Sequence, residues 1–206
     1  MPIDAVVFDI GNVLVEWHPA RPFDRVMGQA RREALFARVD FAAMNERSDL
    51  GEDLGDLIAE LVAQHPEDRD DILLWQKLWL EMLAPDLPRS ARLLRVLRTR
   101  GMPVFALSNF GVPTLVLADQ RYPVLTEFDT RFISGELRLA KPDPAIYAHV
   151  EAETGVAPER LLFIDDRPEN IAAAQARGWQ GHLFETEAGL ANRLVAEGLL
   201  SAEDAA

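Results

Sequence analysis

Short β-branched apolar runs, each ending near a polar residue, alternate with helical stretches over most of this chain, and that alternation leaves few folds open. The runs are Ala5–Phe8, Met102–Leu107, Leu161–Ile164 and Gly181–Phe184. Helical stretches fall between them and after them: Ser90–Arg100 closed by Gly101, Val112–Ala118, Asp143–Thr154 with Pro142 just before it, Pro168–Arg177 closed by Gly178, and a last one over Glu187–Glu197. Proline just before a helix and glycine just after it are the usual start and stop. Strand, helix, strand in this order predicts a parallel sheet with helices on both faces, because a parallel crossover needs about a helix's length of chain. Its inner strands are buried on both sides and read as unbroken apolar runs. Phe132–Leu139 reads as two extended segments broken at Ser134-Gly135, and Ser201–Ala206 as a frayed tail.

One block interrupts the alternation. From about Ala20 to Leu83 the apolar residues recur at helical spacing and no convincing strand appears. Phe23, Val26 and Met27 mark one short helix, Leu35, Phe36 and Val39 a second, and Leu54, Leu57, Ile58, Leu61 and Val62 a third. A fourth, Ile72–Met82, carries Trp75 and Trp79 one turn apart on one face. Four helices between the two halves of an α/β pattern predict an inserted helical bundle over residues 18–85, with residues 1–17 and 86–206 forming the α/β core. The two tryptophans read as bundle core; the alternative is a lid over a substrate.

Composition bounds the function. At 206 residues, with 49% hydrophobic content, the chain can bury one good core with an insertion. No apolar run approaches the roughly 20 residues of a membrane span. The N-terminus MPIDAVVFD lacks the basic flank of a secretory signal, and no cysteine is available for disulfides or thiolate chemistry, so a cytoplasmic protein is expected. A net charge of −13 argues against a nucleic-acid backbone as partner. It also means that an anionic substrate needs a locally positive pocket. Only two lysines occur, Lys77 and Lys141, among many arginines, a hint that a compact ammonium is needed at one or both positions.

Unusual polar groups stand at the carboxyl ends of the strands, where open α/β sheets build their sites. Asp9 ends the first run and is followed by the turn pair Gly11-Asn12, which tolerates positive φ. Ser108-Asn109 ends the second, and Asp165-Asp166, followed by Asn170, ends the third. Lys141 precedes Pro142 at a helix mouth. Adjacent carboxylates raise one another's pKa, a cost that a hard, oxygen-seeking cation such as Mg²⁺ removes. The plainer alternative is a pair of acids at the N-terminus of the helix that starts at Pro168.

Taken in order, Asp9 in FDIGNVLV, Ser108 in ALSN, Lys141 in AKPDPAIY and Asp165-Asp166 in FIDDRPENI resemble the four motifs of the haloacid dehalogenase superfamily. The resemblance spans the whole chain and places the helical insertion where that family carries its commonest cap domain. It implies a Rossmann-like three-layer α/β/α core and a Mg²⁺-dependent hydrolase of a small phosphorylated metabolite. Asp9 would attack phosphorus and form an aspartyl-phosphate. Ser108, the Asn109 backbone and turn amides at Gly11-Asn12 would hold the phosphoryl oxygens, and Lys141 would neutralise charge on nucleophile and phosphoryl group. Mg²⁺ would be held by Asp9, the Gly11 carbonyl and Asp166, with Asp165 acting largely through metal-bound water and Asn170 behind it.

One departure stands out. Most phosphatases of this family carry a second aspartate, a general acid and base, where this chain has Gly11. Glu16 or His18 is a candidate replacement. FDIGNV most resembles the subgroup of bacterial α-glucose-1-phosphate-type phosphatases, so a sugar phosphate is the implied substrate. The alternatives are a metal-free 2-haloacid dehalogenase using Asp9 and Lys141, a phosphonoacetaldehyde hydrolase with Lys77 as its Schiff-base lysine, and a regulatory domain that lost turnover. Arg21, His18, Glu46 and Trp75 are candidates to face the substrate, and Arg167 is expected to pair with Asp165.

Overall fold

The computed structural model describes residues 2–206. After β1 (Ala5–Phe8) comes β2 (Val15–Trp17), then the helices α1 (Ala20–Met27), α2 (Gln29–Arg38), α3 (Phe41–Asp49), α4 (Leu54–Gln64), α5 (Arg69–Ile72) and α6 (Leu74–Met82), and the return strand β3 (Leu83–Asp86). The alternation resumes with α7 (Pro88–Thr99), β4 (Val104–Ser108), α8 (Val112–Arg121), β5 (Thr130–Ile133), α9 (Ser134–Leu137) and α10 (Pro144–Thr154). It closes with β6 (Leu161–Asp165), α11 (Pro168–Ala176), β7 (Gln180–Leu183), α12 (Glu187–Ala196) and α13 (Ala202–Ala205).

Five strands form one parallel sheet in the order β5-β4-β1-β6-β7, so β1 lies at the centre and the chain winds outward on either side of it. The period of two sends Val6 and Phe8 to one face and Ala5 and Val7 to the other, each into its own apolar layer. Leu93, Leu94, Leu97, Leu190 and Leu194 from α7 and α12 cover the first face. Ile146, Tyr147, Val150, Ile171 and Ala174 from α10 and α11 cover the second. The expected three-layer core is therefore present, with β1 buried along its whole length.

The insertion is helical, as its periodicity predicts, and its apolar interior is continuous with the first core layer rather than separate from it. Phe23, Phe36, Phe41 and Trp75 meet ring to ring, with Phe41 and Trp75 stacked at 4.8 Å between centroids. The two chain crossings into the insertion pair as an antiparallel ribbon, β2 with β3, braced where the Tyr122 hydroxyl donates to the Leu83 carbonyl at 2.6 Å.

Several expectations need correction. Helix α3 is absent from the periodicity reading: its buried positions are Phe41, Met44 and Ser48, too few apolar residues to register. Its N-terminus is nevertheless marked by Asp40, whose carboxylate accepts from the Ala43 N–H at 2.9 Å. Val26 is 50% exposed and lies off the apolar face assigned to it. Only the first of the two extended segments in Phe132–Leu139 is a strand. The second begins as the helical turn α9, because Ser134 is drawn into hydrogen bonds with Phe110 and Asp49 and Arg138 closes the turn in the left-handed region. The C-terminal tail is docked, not frayed. Ser201 and Asp204 form a capping box, and Arg89 and Arg92 donate to the carbonyls of Ala205 and Asp204. Among the described residues no helix is long and apolar enough to cross a membrane.

Candidate active site

Where the winding of a parallel sheet changes direction, the loops at the strands' carboxyl ends part and leave a crevice. Here that point is the end of β1, flanked by the ends of β4 and β6, and these three elements deliver Asp9, Ser108 and Asp165. The carboxylate of Asp9 is held by one oxygen. Its Oδ1 accepts from the Ile10 N–H at 2.7 Å and the Ser108 hydroxyl at 2.7 Å, and lies 2.9 Å from the Lys141 ammonium. Among the described residues Oδ2 makes no hydrogen bond and is left to the cavity. Burial pushes the Asp9 carboxyl up to about 6, against the lowering effect of Lys141.

Lys141 is the compact ammonium that the sequence hinted at. Its side chain is 1% exposed, its Nζ reaches Asp165 Oδ2 at 2.6 Å, and it lies 5.4 Å from the centre of the Phe163 ring. The attraction of the two carboxylates outlasts the burial penalty, so its pKa is raised. Asn109 seats it: the side-chain amide donates to the Lys141 carbonyl at 2.9 Å and accepts from the Lys141 N–H at 2.8 Å. This clamp between the β4 loop and the loop before α10 was not legible in the sequence.

Asp165 is fully buried and saturated. Besides Lys141 it accepts from the Arg167 N–H at 2.8 Å and from the Asn170 amide at 3.0 and 3.1 Å. The Arg167 guanidinium does not pair with Asp165, as expected of it, but with Glu169, which the first helical turn presents beside it. Asp166 is more open and accepts from the Asn12 amide at 2.9 Å, and burial pushes its carboxyl up. Asn12 takes positive φ, as its type allows, whereas Gly11 does not. The Asn12 main-chain N–H, expected to face a phosphoryl group, donates instead to the Val15 carbonyl at 2.7 Å. Of that pair of amides only Gly11 N–H remains open to a ligand.

Carboxylate oxygens of Asp9, Asp165 and Asp166 lie within 4.8 Å of one another. Three carboxylates against one ammonium leave the cluster with an excess of two negative charges, and buried Asn170 Oδ1 beside it has no partner. Hard oxygens with uncompensated charge are the donor set of a divalent cation such as Mg²⁺, so the residues fit one. Asp9 and Asp166 have free lone pairs for it; Asp165, already saturated, does not.

A cavity of about 830 Å³ opens above this cluster, within the range of small-molecule sites. Its far wall is rich in aromatic rings: Trp17 at the end of β2 and, from the insertion, Phe36, Phe41, Trp75 and Trp79. Trp75 and Trp79 are 2% and 5% exposed core residues, as the bundle-core reading expects, and both also line the cavity. His18 and Glu46 line it too. Arg21 instead clips the ribbon, binding Glu16 and the Ala84 carbonyl, and Glu16 is thereby occupied outside the cavity. Lys77 is exposed and does not line the cavity, as a snorkelling helix lysine should. Among the lining residues that lay outside the sequence reading is Asp49, at the end of α3, whose carboxyl is pushed up to about 7 mainly by burial.

Comparison with known proteins adds three findings. A family model described as haloacid dehalogenase-like hydrolase matches residues 3–178. A sesquiterpene phosphatase of Aspergillus oryzae is 29% identical over 185 residues, covering 88% of this chain and 90% of its own. A HAD family enzyme of Bacteroides thetaiotaomicron superposes with a TM-score of 0.72 at 20% identity, over 90% of this chain and 95% of that one. The Bacteroides enzyme has also been solved in complex with magnesium and inorganic phosphate.

Proposed function

The chain belongs to the haloacid dehalogenase-like hydrolase family, and we propose that it is a Mg²⁺-dependent phosphatase of small phosphomonoesters whose leaving group is largely apolar. The observation that carries the reaction is Asp9: one oxygen fixed by Ser108, Lys141 and the Ile10 amide, the other without a hydrogen bond among the described residues, on a residue that lines the cavity. A carboxylate held this way is pre-oriented for in-line attack, forming an aspartyl-phosphate and dividing one displacement into two easier ones. Ser108 and Lys141 keep the attacking group in register, and Lys141 opposes the charge that builds on the phosphoryl oxygens. The open Gly11 N–H is placed to take one of those oxygens. Asp9, the Gly11 carbonyl and Asp166 would hold Mg²⁺, which neutralises the phosphoryl dianion. Residues 18–85 act as the cap that covers the leaving group and excludes water.

The aromatic wall favours an apolar leaving group, since burying rings against a sugar's hydroxyls would leave those hydroxyls unpaired. The sesquiterpene phosphatase from Aspergillus oryzae, aligned over most of both chains, supports the same class. A sugar phosphate is the second reading, favoured by His18, Asn45 and Glu46 on the same cavity's surface. The acidic cluster weighs against the dehalogenase and regulatory readings, because three carboxylates around one ammonium suit a cation that those readings do not use.

The test is a substrate panel with and without Mg²⁺: p-nitrophenyl phosphate, a prenyl monophosphate, a hexose 1-phosphate and 2-chloropropionate. We expect metal-dependent phosphate release with kcat/KM highest for the prenyl ester. Higher kcat/KM for the hexose ester moves the substrate to the second reading, and metal-independent chloride release moves the reaction to dehalogenation. Mg²⁺ is also expected to raise the unfolding temperature. At about 100 times its Kd a ligand adds about 2.7 kcal/mol, worth about 5–10 °C for a chain of this size. The shift should shrink as pH falls through 6, where Asp9 takes up the proton that competes with the cation.

A further inference from the structure

We propose that Asp49 is the general acid and base of this enzyme, supplied by the helical insertion in place of the side chain that Gly11 lacks. The inference rests on the phosphatase reading. Of the titratable groups that line the cavity, Asp9 and Asp166 belong to the cluster, Lys141 and Arg167 are cations, and His18 and Glu46 are exposed. Asp49 is the remaining one, and it is half-buried at the cavity wall.

Its position is fixed by the core although its helix belongs to the insertion. The Asn45 amide donates to Asp49 Oδ2 at 2.9 Å, and the Gly111 backbone N–H lies close enough to lower the carboxyl's pKa. The Ser134 hydroxyl donates to the Asp49 main-chain carbonyl. On either side the backbones approach so closely that side chains would collide. A Cβ on Gly111 would come to 2.9 Å from Ser48 Oγ, and one on Gly51 to 2.5 Å from the Gly135 carbonyl oxygen. Gly51 also takes φ of 93°, which other residues rarely adopt. Three glycines and two serines, Ser48 and Ser134, thus dock the end of α3 onto the loop after β4 and onto α9, and this arrangement presents a carboxyl to the cavity that Asp9 also lines.

The charge environment suits the role. Burial raises the carboxyl, the Gly111 N–H lowers it, and the negative charges of Asp9 and Glu46 raise it again, with a result near 7. Lys141 and Asp166, from the core loops, line the same cavity. An acid that titrates near the working pH gives a proton and retrieves one with similar ease. In the first step Asp9 Oδ2 bonds to phosphorus as the bond from phosphorus to the ester oxygen breaks. That oxygen keeps the electron pair and takes the Asp49 proton, leaving as the alcohol. In the second step Asp49 carboxylate takes a proton from water as the water oxygen bonds to phosphorus. The Asp9–phosphorus bond breaks, its electrons return to Asp9, and inorganic phosphate departs with Asp49 protonated again.

The experiment compares two esters, p-nitrophenyl phosphate and a prenyl phosphate, in wild type, Asp49→Asn and Asp9→Asn, all with Mg²⁺. For Asp49→Asn we expect kcat/KM to fall about 10²–10³-fold on the prenyl ester and less than about tenfold on the nitrophenyl ester, whose leaving group needs no proton. The nitrophenyl reaction should show a burst of one equivalent, with phosphoenzyme recoverable after acid quench, because the second step has lost its base. Wild-type kcat/KM on the prenyl ester should fall as pH rises through about 7, and on the nitrophenyl ester it should not. An equal loss on both esters without a burst, no loss on either, or one shared wild-type pH profile overturns the role of Asp49 while leaving an active, Asp9-dependent phosphatase in place. A wild-type protein that releases phosphate from neither ester overturns the phosphatase reading and the Asp49 role with it. The pH comparison uses wild type alone, so it decides the matter even if Asp49→Asn folds poorly.

Discussion

Asp9→Asn is expected to lower Mg²⁺-dependent phosphate release at least about 10⁴-fold, or about 5 kcal/mol of barrier, and to abolish the phosphoenzyme. The amide fills the same space but carries no nucleophilic oxygen. Its own oxygen can still accept from Ser108 and the Ile10 N–H, so the loop after β1 keeps its shape. Stability should hold or rise slightly at neutral pH. The folded-state pKa of Asp9 lies near 6, above the value of about 3.8 for a free aspartate. Its buried charge therefore costs stability progressively as pH rises from about 4 through 6, and a neutral amide removes that cost. Lys141 loses one partner in exchange and retains Asp165. Thermal unfolding at pH 7.5 without metal, run beside an acid-quench assay for phosphoenzyme, checks both halves. Residual turnover of even one part in a hundred would mean that a different group attacks phosphorus.

The parts of this molecule that the sequence disclosed are those where local pattern and global fold agree. Ala5–Phe8 is apolar at every position because both faces of β1 are covered, and Asp9, Ser108 and Asp165 follow from the rule that strand ends face the crevice. Lys141 stood out because it was one of two lysines. What stayed hidden depends on partners far along the chain. The side chain of Asn109 clamps the backbone of Lys141, 32 residues away, a contact between two loops that no local pattern announces. The helix bearing Asp49 buries a serine in contact with Gly111, so its inner face lacks the apolar stripe that announces a helix. Ser134 broke an apparent strand pair for the same reason: its hydroxyl bonds to the carbonyl of Asp49, 85 residues away. The docked C-terminus was within reach, since Ser201 and Asp204 stand at capping-box spacing. The arginines that hold it there lie on α7, more than a hundred residues earlier.

The second large effect concerns Lys141, for which we expect the methionine variant to lose about 3–5 kcal/mol of stability at pH 8. That is a sizeable share of the roughly 5–15 kcal/mol that holds a domain folded, and should lower the unfolding temperature by about 10 °C. Activity should fall more than about 10³-fold, because the group that opposes phosphoryl charge and orients Asp9 is gone. The reasoning is one of uncompensated charge. Removing an ammonium 2.9 Å from Asp9 and 2.6 Å from Asp165 leaves two buried carboxylates side by side. The sign with pH follows. The folded-state pKa of Lys141 lies above the usual lysine value, so its contribution is complete across pH 5–9 in wild type and fades only at higher pH. In the variant, Asp9 without the lowering influence of Lys141 titrates higher still, and protonating it relieves the repulsion. The deficit should therefore be largest above pH 6 and shrink toward pH 5, and Mg²⁺ should recover part of it at pH 8 by restoring positive charge. Lys141→Arg should not rescue either property. The side chain is 1% exposed, and Asn109 pins the backbone behind it, so the broader guanidinium has no room between the two carboxylates. Full rescue by arginine would show that the cluster asks only for a positive charge and not for one of this size in this place.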